Sequence, residues 1–281
     1  MEYDITASIV LYKNKQLIKE TIHSFLSCSS LKLKLYLIDN SPSDKLKTEL
    51  KDILKNERIS YIFNNKNIGF GAAHNIAIKY AIHQSTFHLV LNPDIQFAQG
   101  VLEELYHFMI KNKTVGQLLP QVLYTDGSVQ KLCKLLPTPF NLIGRRFFPN
   151  TTWSKKLNNN YELQSFKYDH CINLPNLSGC FMFLRTEVLK KTGGFDTRYF
   201  MYLEDVDLTR RIHKIADTLF YPYVSIYHGY EKASYANPTI LKHHITSAIK
   251  YFNKWGWFFD RERDELNKKL MQKLNASFLE Q

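Results

Sequence analysis

The alternation in the first hundred residues constrains the fold most. Short apolar runs rich in β-branched and aromatic residues take turns with longer segments whose apolar residues recur at helical spacing. That is the pattern of α/β units around a parallel sheet. Residues 7–12 read as a buried strand, and Leu17, Ile18, Ile22 and Phe25 mark one face of a helix. Residues 35–38 read as a second strand, stopped by Asp39-Asn40-Ser41-Pro42, whose residues favour a turn and a helix start. Further along, the pattern predicts a helix over 45–55, a strand over 59–63, a loop over 64–71, a helix over 72–83, a strand over 88–91 and a helix over 101–111. Successive strands thus end in polar loops, and in open α/β sheets ligands sit at the carboxyl ends of strands.

A chain of 281 residues with 44% hydrophobic content removes roughly 75% of its unfolded surface from water, so it needs no disulfide or metal staple. The apolar content also excludes a disordered chain. Cys28, Cys133, Cys171 and Cys180 show no C-x-x-C spacing and are expected as buried thiols. No run reaches the ~18 apolar residues of a membrane-spanning helix. The acidic start lacks the basic region of a signal peptide, so a cytoplasmic location is expected.

The net charge is +11, which suits an anionic partner without saying which. Its distribution says more. Residues 131–168 carry seven Lys/Arg, among them Lys134, Arg145 and Arg146, against the single acid Glu162. They also hold three prolines and six aromatic rings besides Tyr168, the mark of a long, partly irregular excursion of the kind that is usually functional. The C-terminal end reads as helical. Leu241, Ile245, Ile249 and Phe252 form one apolar stripe, Leu266, Leu270 and Leu274 a second, with the aromatic corner 255–259 between them.

Three clusters carry candidate chemistry. Asp39, just past a strand, suits either a base or ribose contact or a helix cap. In Asn92-Pro93-Asp94 the proline fixes the loop, so Asp94 suits a hard divalent ion or simply a turn. Around Glu204-Asp205-Val206-Asp207, three carboxylates in four positions repel one another. Such crowding favours a base with a raised pKa or a facing cation, and the same acids also suit a helix first turn. If a helix starts there, Glu204 and Asp207 share a face while Asp205 projects elsewhere, with Leu208 and Ile212 seating the helix. The loop 67–75 bears Gly69 and Gly71 and opens a helix, where backbone N–H groups suit a phosphate; it matches neither a P-loop nor a G-x-G-x-x-G site.

In order, Asp39-Asn40-Ser41, the Asn67–Gly71 loop, Asn92-Pro93-Asp94, the Asp126-Gly127-Ser128 turn and Gly194-Phe195-Asp196 with Glu204–Asp207 resemble the inverting family 2 glycosyltransferases, rhamnosyltransferase-like branch, over about residues 5–230. The resemblance implies an α/β GT-A fold: a Rossmann-like mixed sheet flanked by helices, with a donor half over 1–100, an acceptor and catalytic half over 101–230 and a helical extension over 231–281. It implies a nucleotide-sugar donor held by Asp39, Asn67, Gly71, Asn92 and Asp94, and Mg²⁺ or Mn²⁺ at Asp94 and His228. It also implies Asp205 as the general base, and Glu204, Arg145 and Arg146 belong to the acceptor region. Asn92 stands where the family's D-x-D signature has its first aspartate, in the N-P-D form familiar in this branch.

The expected activity is inverting transfer, with dTDP-rhamnose as leading donor and a UDP-hexose or UDP-N-acetylhexosamine as alternative. The acceptor is a glycan or lipid-linked saccharide in surface polysaccharide synthesis, with peripheral contact at the inner face of the membrane. A non-enzymatic basic module holding membrane or nucleic acid is the reading from another class. No RNA-binding motif accompanies the aromatics of 131–168, so nucleic acid is not the expected partner.

Overall fold

The computed structural model describes residues 1–13, 17–144, 152–229 and 238–279. The chain runs through β1 (Tyr3–Leu11), α1 (Ile18–Leu26), β2 (Leu33–Asp39), α2 (Lys45–Glu49), β3 (Ile59–Phe63), α3 (Phe70–Gln84), β4 (Ser85–Leu91), β5 (Ile95–Gln96), α4 (Val101–Lys111) and β6 (Val115–Leu123). It continues through α5 (Thr152–Tyr161), β7 (Ile172–Asn173), β8 (Phe181–Arg185), α6 (Thr186–Thr192), α7 (Glu204–His213), β9 (Asp217–His228), α8 (Pro238–Trp255) and α9 (Arg261–Leu279). The strands form one nine-stranded mixed sheet ordered β3-β2-β1-β4-β8-β6-β9-β5, with β7 also pairing β9. β3, β2, β1 and β4 are parallel, and β8 enters antiparallel between β4 and β6.

The apolar alternation explains the parallel half. Ile5, Ala7, Ile9 and Leu11 of β1 and Leu35 and Leu37 of β2 are wholly buried in one core with Phe87, Leu89 and Leu91 of β4. The helix expected over 45–55 divides into the five-residue α2 and a separate 3₁₀ turn at Ile53–Lys55, because Leu46 and Leu50 reach the core and the chain must then turn into β3. α3 starts two residues earlier than its sequence suggests, with Gly69 at φ +91° as its N-cap.

The described residues of the excursion over 131–168 are anchored to the fold at several points. Leu136 and Leu142 pack with Tyr199, Leu203, Val206, Ala248, Tyr251 and Phe252, while Tyr161, Leu163, Phe166 and Tyr168 join the main core. Asn267 of α9 brackets Leu136, accepting from its N–H and donating to its carbonyl, both at 2.9 Å.

α8 turns a different face inward from the one its stripe suggests. Ser247, Ala248, Tyr251 and Phe252 are buried, and Ile245 and Ile249 stand 39% and 42% exposed. The large rings of Tyr251 and Phe252, seated against Leu136 and Tyr199, decide the orientation. The second stripe holds, with Leu270 and Leu274 in the main core and Leu266 packed against the α8 cluster. The aromatic corner splits: Trp255 and Trp257 pack inward, whereas Phe258 and Phe259 are 76% and 96% exposed. Cys28, Cys133 and Cys180 are buried and Cys171 partly so. No helix among the described residues is long and apolar enough to cross a membrane.

Candidate active site

The carboxyl ends of β1, β2 and β4 form one edge, and the motifs gather there. Leu11 and Asp39 are register partners at the ends of β1 and β2. Asp39 is fully buried: Oδ1 accepts the Ser41 N–H at 2.8 Å and Oδ2 accepts the Tyr61 hydroxyl. Burial and the Asp39 carboxylate together push the Tyr61 phenol up. A base or ribose arriving at Asp39 must therefore share these oxygens with Ser41 and Tyr61.

Asn40 braces the next loop, donating to Asn67 Oδ1 (3.3 Å) and the Gly69 carbonyl (3.2 Å) while accepting from Asn64 at 2.8 Å. Asn67 Oδ1 also accepts the Gly69 N–H at 3.0 Å. The glycines of this loop have packing duties. A Cβ on Gly69 would lie 2.4 Å from the Phe200 carbonyl, and one on Gly71 would lie 2.8 Å from Phe195 Cβ. The Phe70 N–H donates to that same Phe200 carbonyl at 2.9 Å. In this structure the loop docks the segment leading to the acidic cluster.

Asp94 and His228 lie 134 positions apart in the chain and meet because β5 pairs β9 with Ile95 opposite His228. His228 Nε2 is 3.4 Å from Asp94 Oδ1, and the Gly229 N–H donates to the Asp94 carbonyl at 2.9 Å. Two sequence-expected residues are thus brought into one site. A carboxylate oxygen beside an imidazole nitrogen fits Mg²⁺ or Mn²⁺, since such ions take few protein ligands and complete their shell with phosphates and water. No group of three His, Cys, Asp or Glu that could hold a metal exists among the described residues.

Asp205 reaches the same edge through the turn before β8. Asn92, at the end of β4, donates its N–H to the Cys180 carbonyl at 2.9 Å, and the Gly179 N–H donates to Asp205 Oδ2 at 2.8 Å. The charges of both Asp94 and Asp205 act on the Cys180 thiol between them, adding to the burial that raises it to about 12. Asp205 Oδ1 also accepts the Val206 N–H at 2.9 Å. Burial raises the Asp205 pKa, opposed by these two N–H donors and by the nearby Lys134 ammonium.

The three acids separate by role. Glu204 is 5% exposed, and burial and the neighbouring Asp205 charge raise it strongly. Among the described residues its Oε2 has no hydrogen-bond partner, so the surroundings favour the neutral form of Glu204, whereas the two N–H donors favour the charged form of Asp205. The Glu204 side chain therefore points into the protein rather than lining an open acceptor surface. Asp207 faces two cations, Arg211 Nε at 2.8 Å and Lys254 Nζ at 2.6 Å, and accepts the neutral Trp255 indole N–H at 2.8 Å.

Just before this helix Tyr202 and Leu203 hold φ of 72° and 67°. Two consecutive left-handed non-glycine residues cost roughly 1–2 kcal/mol each, and such strain collects at functional sites. Arg145 and Arg146 lie outside the described residues. Gly179, Lys134 and Gln130 were not singled out by motif, because their roles come from tertiary contacts that spacing does not encode.

The family model for "Glycosyl transferase family 2" matches residues 6–193, the stretch from β1 to the end of α6. The chain belongs to this family. It is a glycosyltransferase, and its curled sheet with flanking helices is that of the GT-A enzymes. Among curated proteins the glycosyltransferase is 24% identical over 239 residues to the N-acetylglucosaminyl-diphospho-decaprenol L-rhamnosyltransferase of Mycobacterium tuberculosis, covering 79% of this chain and 76% of that one. In fold it is similar to GalNAc-T7 solved with UDP, GalNAc and Mn²⁺, at TM-score 0.62 and 15% identity over 90% of this chain, which spans 50% of that one. It is also similar to a mannosyltransferase from Pyrobaculum calidifontis solved with GDP-Man and Mn²⁺, at TM-score 0.58 and 16% identity, over 89% of this chain and 65% of that one.

Proposed function

We propose that the enzyme moves a sugar, with inversion, from a nucleotide-diphospho-sugar to a saccharide hydroxyl. The observation that carries this is Asp205, held by the Val206 N–H and by the Gly179 N–H of the turn that also touches the start of the Asn92-Pro93-Asp94 loop. An acceptor hydroxyl is a poor nucleophile near neutral pH until a positioned carboxylate takes its proton, a gain of about 10²–10⁴-fold. One base on the face opposite the leaving diphosphate gives a single displacement and inversion.

Asp94 and His228 would hold Mg²⁺ or Mn²⁺, with Asn92 alongside. When bound, such an ion offsets the charge that builds on the leaving diphosphate. Asp39 and Asn67 shape the nucleotide side with Gly71, and Arg145 and Arg146 serve the acceptor.

dTDP-rhamnose is the leading donor, supported by the rhamnosyltransferase relative; a UDP-hexose or UDP-N-acetylhexosamine is the alternative, supported by the UDP-bound neighbour. The same rhamnosyltransferase, whose name gives a decaprenol-linked acceptor, supports a lipid-linked saccharide acceptor here. Peripheral contact with an anionic membrane agrees with the exposed Phe258 and Phe259 and with the exposed Lys242, Lys268, Lys269 and Lys273 of α8 and α9.

A panel of sugar nucleotides scored by thermal stabilisation and hydrolysis identifies the donor. Asp205→Asn is then expected to keep donor binding and lose turnover by about 10²–10⁴-fold; near-normal turnover in that variant removes Asp205 from the base role.

A further inference from the structure

Gln130 follows the Asp126-Gly127-Ser128 turn and is 2% exposed. Its Nε2 donates to the carbonyl of His228 at 3.0 Å and to the carbonyl of Leu123 at 3.3 Å. Carbonyl oxygens only accept, so both contacts fix the amide with its NH₂ toward the backbone and its oxygen toward the His228 ring. Gln130 Oε1 lies 3.1 Å from His228 Nδ1. An amide oxygen also only accepts, and the hydrogen on this contact must therefore belong to Nδ1. The neutral ring then carries its lone pair on Nε2, the atom 3.4 Å from Asp94 Oδ1. In that tautomer two lone-pair-bearing atoms face one another, an arrangement that a cation bridges and that direct contact would not favour.

We infer that Gln130 is a positioning residue: it locks His228 in the Nδ1–H tautomer and so aims Nε2, together with Asp94, at the divalent cation of the donor site. This rests on the reading of Asp94 and His228 as metal-holding residues. Partners of this kind, bonded to the far nitrogen of a ligating histidine, typically change metal affinity by about 10–100-fold when removed. The backbone contacts add a second duty, because the same amide ties the end of β9 to the end of β6 through Leu123.

The test uses ¹⁵N-histidine-labelled full-length protein and Mn²⁺ titrated alone, followed by electron paramagnetic resonance. Loss of one ring's signals in His228→Gln assigns that residue among the ten histidines. Wild type is expected to show the Nδ1–H pattern at His228. Gln130→Met, of similar volume without the amide, is expected to mix the tautomers and weaken Mn²⁺ about 10–100-fold. Gln130→Glu, whose protonated carboxyl can keep one oxygen toward Nδ1 and donate its O–H to the backbone carbonyls, is expected at mildly acidic pH to retain the tautomer and bind Mn²⁺ more tightly than Gln130→Met.

An Nε2–H pattern in the wild-type spectrum overturns the inference with no variant needed. An unchanged tautomer and Mn²⁺ affinity in Gln130→Met overturn it too, while loss of Mn²⁺ in His228→Gln and Asp94→Ala would leave the metal reading standing. If those two variants bind Mn²⁺ as wild type does, the metal reading fails and takes the inference with it.

Discussion

At the scale of single residues, the site depends on how closely backbone approaches carboxylate. A Cβ on Gly179 would stand 2.8 Å from Asp205 Cβ and 3.0 Å from its Oδ2, so the N–H can reach the carboxylate only because position 179 has no side chain. Gly179→Ala is expected to push Asp205 off its position and cost about 10²-fold in turnover, as small misplacements of reacting groups do, with donor affinity nearly unchanged; steady-state kinetics separates the two. The raised pKa of Asp205 has a second consequence. A base works only when deprotonated, so activity falls as pH drops through the raised value, and the acidic limb of kcat/KM should sit above the ~3.9 of an ordinary aspartate. A limb at or below that value counts against Asp205 as the base.

At the scale of elements, α7 is held from behind by the C-terminal helices. Arg210, 1% exposed, makes two hydrogen bonds to Asp260 at 2.7 and 2.6 Å and further ones to Glu262, and its guanidinium lies 4.0 Å from the Trp255 ring centre. Losing the Asp260 carboxylate leaves Arg210 only the partly exposed Glu262 as counter-ion, so Asp260→Asn should destabilise by about 1.5–3 kcal/mol in denaturant unfolding. Replacing Arg210 and Asp260 together by apolar residues should recover much of that loss.

This clamp shows where the sequence was readable. The strands β1 to β4 were legible because their apolar residues alternate or run together, and α4 because its apolar spacing ends in Lys111 and Asn112. Asp94 and Asp205 stood out in the sequence only as members of an ordered set of motifs; that β5 and the turn before β8 bring them to one edge of the sheet was not written there. The inward face of α8 was not legible either, since Ser247 and Ala248 are small and only the rings packed around them reveal that they are buried. Nor was Gln130 legible: a lone glutamine after a turn carries no pattern, and its meaning appears only when β9 returns beside it.

At the scale of the whole molecule, a buried polar chain crosses the parallel half of the sheet. Thr6 and Ser8 of β1 bond to His88 at 2.8 and 2.9 Å, and Ser8 also meets His74 of α3 at 2.7 Å. Burial lowers both imidazoles, His88 to about 3. With folded values below the unfolded ~6.5, the unfolded chain binds more protons in that window. Stability is therefore present above pH ~6.5 and is lost as pH falls toward the folded values, at up to about 1.4 kcal/mol per pH unit for each ring. Denaturant unfolding between pH 7 and 5 should show a shallower pH slope in His74→Gln than in wild type, and equal slopes would remove His74 from the effect.

The Arg210 clamp also sets an order in time. Asp260 and Glu262 lie 50 and 52 residues beyond Arg210, and every strand of the sheet precedes them in the chain. On a ribosome adding about 5–20 residues per second, α7 waits some ~3–10 s for the counter-ions of Arg210 after it has been made. A growing chain can thus complete its sheet well before α7 is anchored, and α7 takes its support from behind only when the segment carrying Asp260 and Glu262 has been made.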